Sequence, residues 1–132
     1  MSNLKAVYLG DEQVELIHEA SGQKILTDLP PDNGGKGRTF SPTDLFTCSL
    51  SSCILTIMAK MAERDGVDFK GANIEFEKIM IATPRRISKV IGIITFPDHL
   101  SEDKKKKYLT AIQACPVHRS LHPDIEVDFK IT

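Results

Sequence analysis

The sequence is short of the features that would commit it to a charged partner, a disulfide framework or a membrane. Lys and Arg number 17 against 18 Asp and Glu, a formal net charge of -1, so the electrostatic footprint of a nucleic-acid binder is missing. Three cysteines in 132 residues are too few for a disulfide scaffold, and one is odd whichever way the other two pair. They are buried fillers, metal ligands or redox thiols. The longest uncharged stretch, Leu45 to Ala59, has 15 residues, fewer than the ~20 that span a bilayer, and its hydroxyl groups weaken a membrane reading further. The opening Met1-Ser2-Asn3-Leu4-Lys5 has no apolar signal-peptide core, so a reducing cytoplasm is the expected location. No internal repeat is present. What remains, 41% hydrophobic and 27% charged residues, is the composition of a soluble globular protein. At this length a single domain spanning residues 1–132 is expected.

Short strands are predicted at Ala6–Leu9, Gln13–His18 and Lys24–Thr27, separated by the turns Gly10-Asp11-Glu12 and Ser21-Gly22, which make a meander. Leu29 to Arg38 holds two prolines and three glycines, too many breakers for a regular element. It reads as a loop, and loops on rigid scaffolds often carry function. A helix start follows: Ser41 caps, Pro42 suits the first helical position, and Asp44 completes a capping-box spacing at the positive helix end. The helix is predicted to run to about Asp65, with Gly66 as its stop. Apolar nearly all round, it is expected to be buried on most faces.

Two longer strands, Ala72–Ala82 and Ile87–Phe96, flank Thr83-Pro84-Arg85-Arg86 and read as a hairpin. In the first, Ile74, Phe76 and Lys78 share a face, and the alternation blurs after Lys78. A second helix is predicted from Ser101-Glu102-Asp103 to about Cys115, ended by Pro116, with Tyr108, Leu109, Ile112 and Cys115 on one apolar face. A last strand, Ile125–Ile131, alternates cleanly. Strands, buried helix, hairpin, helix and strand describe an α+β fold.

Two segments carry candidate chemistry. "SLSSCILTIM", Ser49 to Met58, sets Cys53 among small hydroxyl residues. "ACPVHRSLH", Ala114 to His122, sets Cys115 beside His118, Arg119 and His122. Cys is among the most buried residue types, so core packing accounts for either thiol taken alone. A thiolate at Cys53 would need a nearby cation, and Arg38 and Arg119 are the candidates. Cys48 lies about 140° around the helix from Cys53 at ~100° per residue and reads as structural. Cys115, His118 and His122 have a spacing that would align on a helix and invite a metal reading, but Pro116 and Pro123 interrupt that helix. The run Lys104–Lys107 follows Glu102 and Asp103 and reads as a solvated helix face.

Taken together, "SPTDLFTCSLSSC" (Ser41 to Cys53) and "CPVHRSL" (Cys115 to Leu121) resemble the paired motifs of the OsmC/Ohr family, the osmotically inducible protein C and organic hydroperoxide resistance proteins. The likeness extends over most of the chain and is closer to the divergent OsmC-like branch. It implies antiparallel sheets packed around a long central helix in an intertwined homodimer. It also implies a thiol peroxidase without a bound cofactor or metal, in which Cys53 attacks an organic hydroperoxide and Cys115 resolves the sulfenic acid as a disulfide. A dithiol reductant, lipoyl-type by the same resemblance, then recycles it. Arg38 corresponds to the thiolate-stabilising arginine of the loop. Typical members carry a glutamate directly after the motif proline to orient that arginine. This chain has Thr43 there, and Asp44 is the nearest acid. The alternative is an OsmC-fold redox-responsive or small-molecule-binding dimer with little turnover, which a free-thiol pH profile for Cys53 would favour.

Overall fold

The protein is described by a computed structural model covering residues 3–132. It divides into two compact units, 1–46 and 47–132. Strands β1 (Leu4–Gly10), β2 (Gln13–His18) and β3 (Gln23–Asp28) form the first unit's antiparallel meander, in the order β1-β2-β3. In this register Ala6, Leu16 and Ile25 are cross-strand neighbours. Side chains on a strand alternate faces, so Leu4, Ala6, Tyr8, Val14, Leu16 and Ile25 share one side of the sheet. Leu4 and Tyr8 are 79% and 67% exposed there. A single 3-10 turn, Pro31–Asn33, interrupts the loop that follows.

Helix α1 (Pro42–Arg64) begins as its residues predict. The Asp44 carboxylate accepts the Ser41 backbone N–H at 2.9 Å and the Ser41 hydroxyl accepts the Asp44 N–H at 3.0 Å, the reciprocal capping box. At the other end Gly66 takes φ 68°, and the N–H of Val67 reaches back to the carbonyl of Ala62 at 2.9 Å, a left-handed stop that glycine adopts without steric cost.

In the second unit, β4 (Asn73–Ala82), β5 (Arg85–Thr95) and β6 (Glu126–Ile131) form a sheet in that order. The β4–β5 hairpin carries a bulge opposite Ile79 and Met80 in which Ser88 of β5 is the extra residue; β4 itself keeps Ile74, Phe76, Lys78 and Met80 on one face, and its sequence alternation blurs because Ile79 and Ile81 on the other face are also apolar. Strand β6 pairs parallel to β5, a departure from the antiparallel expectation. The segment between them holds helices and crosses over, and such a connection returns a strand in the same direction.

The core belongs to this unit. Leu50, Ile54, Met58 and Ala62 of α1 recur every four residues and are buried with Ile74, Ile87, Val90 and Ile94 of the sheet and with Tyr108 and Ala111. Full burial of each large aliphatic side chain contributes about 1.5–3 kcal/mol. Two expectations need correction. Helix α1 is not covered on most faces: Ser49, Ser52, Thr56 and Ala59 are exposed, because the sheet and shorter helices of this unit cover only the stripe led by Leu50 and Ile54. By length and composition α1 could also cross a membrane, but a core helix passes the same test, and its apolar stripe is spent on the core.

The second correction concerns the predicted single helix ending at Cys115. It is three pieces, α2 (Glu102–Tyr108), α3 (Ala111–Ala114) and α4 (Pro116–Arg119). Pro116 opens a helix rather than ending one, because a proline loses nothing at a first turn where its N–H would have no partner. Tyr108 donates its hydroxyl to Asp65 at 2.9 Å, and Lys107 and Lys104 reach the same carboxylate at 2.9 and 3.2 Å. This cluster fastens α2 to the C-terminal end of α1.

Candidate functional site

Cys53 stands on α1, three residues past Leu50 and one before Ile54, and is half-buried at the border of the packed stripe. Cys115 has no exposed surface. Its backbone is extended, φ -68° and ψ 122°, as the chain passes from α3 into α4. The sulfur therefore caps α4, accepting the backbone N–H of His118 at 3.4 Å. The fold brings the two thiols within interaction range: the neighbouring Cys53 side chain is among the causes that raise the Cys115 pKa. Burial pushes the Cys115 pKa up, the interaction with Cys53 adds to the rise, and the N–H groups of His118 and Val117 oppose it. Cys115 is thus held in its protonated form beyond the range of an ordinary thiol. All three cysteines are free thiols.

The metal spacing read around Cys115 does not assemble. Among the described residues no three His, Cys, Asp or Glu side chains gather as a ligand set. His122 Nδ1 accepts the Asp124 N–H at 3.1 Å instead.

Arg38 and Asp44 belong to the first unit. Asp44 has the capping role described above. The Arg38 side chain, 38% exposed, is bound by two carboxylates. Its Nε donates to Asp28 Oδ2 at 2.8 Å and its Nη2 to Asp28 Oδ1 at 3.2 Å. Its Nη1 donates to Asp11 Oδ2 at 2.8 Å and its Nη2 also to the Asp11 carbonyl at 2.9 Å. The hydrogen bonds from Arg38, side chain and then backbone, hold Asp28 down to about pKa 2, and Asp11 is lowered chiefly by Arg38 and then Lys36. The same two carboxylates push the arginine's own pKa up.

Asp28 and Asp11 were not singled out from the sequence. The usable signal was a carboxylate at the end of an alternating strand, directly before the Leu29-Pro30-Pro31 break, where a side chain turns inward with the strand's last residues. Asp11 sits in a turn that any polar residue would suit.

Comparison with known proteins places these features in a family. Residues 35–130 match the OsmC family, described as OsmC-like protein. The structure is similar to that of a Psychrobacter arcticus protein described as osmotic stress induced and of the detoxification response, with 42% identity, a TM-score of 0.95, and 100% of this chain and 96% of that one covered. It also resembles the organic hydroperoxide resistance protein OsmC of Legionella pneumophila (17% identity, TM-score 0.76, 100% and 96% covered). The organic hydroperoxide resistance protein OhrB of Bacillus subtilis is similar too (14%, 0.70, 100% and 98%). At those lower identities the likeness is one of fold. No curated protein matches the chain significantly in sequence. With nearly three quarters of its length inside the family match and an α+β fold shared from end to end, the chain belongs to the OsmC-like family.

Proposed function

We propose that the protein is a cysteine-based thiol peroxidase that reduces organic hydroperoxides, built as a single OsmC-like domain acting in a reducing cytoplasm. The observation that carries this reading is the interaction of the buried Cys115 thiol with Cys53, which raises the Cys115 pKa. A redox pair needs one sulfur that reacts first and a second, in contact, that waits as a thiol. Fold relatives named for organic hydroperoxide resistance support a peroxide-related redox role.

The chemistry balances in three steps. The Cys53 thiolate attacks the distal oxygen of ROOH; the O–O bond breaks, one oxygen stays as Cys53 sulfenic acid, and RO⁻ takes a proton to leave as alcohol. The Cys115 sulfur then attacks the sulfenic sulfur, forming the disulfide and releasing water with the Cys115 proton. A dithiol reductant, lipoyl-type by family resemblance, returns both thiols and leaves as its own disulfide. By the family resemblance, Arg38 is assigned the stabilisation of the thiolate and Asp44 the orienting of that arginine.

The protein is proposed to work as a homodimer. The exposed apolar side of the β1-β2-β3 sheet, led by Leu4, Tyr8 and Ile25, and the small-residue face of α1 are surfaces a second copy would cover. The test is intact mass of the reduced protein before and after one equivalent of cumene hydroperoxide, with peptide mapping. Loss of two hydrogens with a Cys53–Cys115 linked peptide is expected, and an unchanged mass overturns the proposal.

A second reading is a redox-responsive or small-molecule-binding member of the fold with little turnover. It is favoured by one observation, the engagement of the Arg38 guanidinium by Asp11 and Asp28. Normal peroxide turnover by the wild type, lost in Cys53→Ser, would eliminate it.

A further inference from the structure

Cys115 sits where two short helices of the second unit meet, and Pro116 is the reason they do not merge. The residue before a proline is pushed out of the helical region into an extended one, and Cys115 has φ -68° and ψ 122° between α3 and α4. The α4 ladder then begins with the N–H of Arg119 on the Cys115 carbonyl at 3.0 Å and that of Ser120 on the Pro116 carbonyl at 3.1 Å. A helix leaves its first N–H groups without a ladder partner. Pro116 has none to leave, so two remain, those of Val117 and His118. The His118 N–H donates to Cys115 Sγ at 3.4 Å, and the Val117 N–H acts on the same sulfur in the same sense.

Cys115 has no exposed surface and shares one core with Leu50, Ile54 and Ala111, so water does not reach a charge formed on its sulfur. A thiolate in such surroundings is costly unless donors face it. Donors fixed in place beforehand hold a developing charge with no reorganisation at the moment of reaction. The titratable side chain that acts on this sulfur is Cys53 of α1, which disfavours its charged form. The Arg119 Nε is turned to the Gln113 carbonyl at 3.1 Å, and the Tyr108 hydroxyl to Asp65 at 2.9 Å.

We infer that the backbone N–H groups of Val117 and His118 are catalytic donors to Cys115, holding the negative charge its sulfur carries as the disulfide forms and breaks, and that Pro116 positions them. This rests on the proposed Cys53–Cys115 chemistry. In the forming step the Cys115 sulfur bonds to the sulfenic sulfur of Cys53, the S–O bond breaks, and the hydroxyl leaves as water with the Cys115 proton. In the breaking step a thiolate of the dithiol reductant bonds to the sulfur of Cys53, which is half-buried where Cys115 is enclosed. The S–S bond breaks and its electron pair goes to Cys115, where the two N–H groups hold the charge until the reductant's second thiol gives up its proton. The thiolate so formed displaces Cys53 and closes the reductant's own disulfide.

Proline at position 118 removes one donor and no ladder bond, because the His118 N–H has no place in the ladder. His118→Pro is compared with His118→Ala, so that both lose the imidazole and one alone loses the N–H. Each reduced protein receives one equivalent of cumene hydroperoxide, and quenched samples are weighed for the sulfenic form, with one added oxygen, and the disulfide, with two hydrogens lost. His118→Ala should pass from the first to the second at the wild-type rate. His118→Pro should do so about tenfold to a hundredfold more slowly at neutral pH. Its deficit should narrow as pH rises, because losing a donor moves formation of the Cys115 thiolate to higher pH. Pro116→Ala, which lets α3 and α4 fuse and offers the His118 N–H to the Ala114 carbonyl, should be slowed with the same pH dependence.

Equal rates for His118→Pro and His118→Ala overturn the inference, as does a deficit of the same size at every pH, which marks simple distortion. Should His118→Pro fail to fold, Pro116→Ala decides, and a wild-type rate there overturns it. A wild-type protein that gains neither oxygen nor disulfide would instead sink the proposed peroxidase chemistry. Diamide then drives the same disulfide between the two thiols, and the variants are compared on that rate with the same two outcomes.

Discussion

The buried thiol of Cys115 interacts with Cys53, and this bonding adds to burial in raising the Cys115 pKa. Burial and this bond keep Cys115 protonated to higher pH than an ordinary thiol, so the two sulfurs should react in a fixed order. In the reduced protein, iodoacetamide should label Cys53 well before Cys115 across neutral pH, as peptide mapping would read. After one equivalent of hydroperoxide, Cys115→Ser should hold one extra oxygen on Cys53 and show no dithiol-linked turnover. Equal labelling of both sulfurs would contradict the order.

The α1 stripe should dominate stability. Ile54 has no exposed surface, and Ile54→Ala should cost about 2–5 kcal/mol through lost transfer energy and the cavity left behind. Lys60→Ala, on a pair whose side chains are both 70% exposed, should stay within about 0.5 kcal/mol. Urea unfolding separates the two through the midpoint at an unchanged slope.

Asp65 gives stability a dependence on acid pH. Hydrogen bonds from Lys107, then Tyr108, lower its pKa from 3.8 to about 2. A carboxyl lowered by folding contributes stability that is present above the unfolded value and is lost as pH falls through the folded one. Unfolding free energy should therefore drop between about pH 4 and pH 2. Asp65→Asn should be less stable at neutral pH and show a shallower drop in that window. Parallel curves would reject the assignment.

Tyr108 is the alkaline counterpart. Burial, then its bond to Asp65, raises the phenol from 10.0 to about 12. A raised group contributes stability present below the unfolded value and lost as pH climbs to the folded one. Tyr108→Phe should flatten the decline between about pH 10 and pH 12. Circular dichroism melts across that range would test it.

Gly92 marks a close approach within the second sheet. A Cβ there would meet the Phe129 ring at 2.9 Å and the Glu75 carbonyl oxygen at 3.0 Å. Gly92→Ala should destabilise by about 1–3 kcal/mol, in the range of overpacked sites. Combining it with Phe129→Leu should recover part of that loss. Additive costs in a double-mutant cycle would show that the ring is not the obstacle.

What the sequence alone determined were the features that depend on neighbours along the chain. The Ser41–Asp44 box, the Gly66 stop and the three-strand meander follow from local hydrogen bonding, side-chain period and turn chemistry. The motif pair around Cys53 and Cys115 was also legible, as a resemblance.

Tertiary structure decided what depends on residues far apart in sequence. That Cys53 and Cys115 come within interaction range follows from the packing of their two segments into one core, and no spacing rule contains it. The same packing split the predicted second helix, reversed Pro116 from a stop into a start and left half of α1 uncovered. Asp28 became the partner of Arg38 only because the loop folds back over the end of β3, so that a residue with no motif of its own meets the guanidinium ten positions on. Local propensities select elements at a cost of tenths of a kcal/mol per residue. Which side chains lose their water together is set by how those elements pack, and that is where the thiol pair and the arginine's partners are fixed.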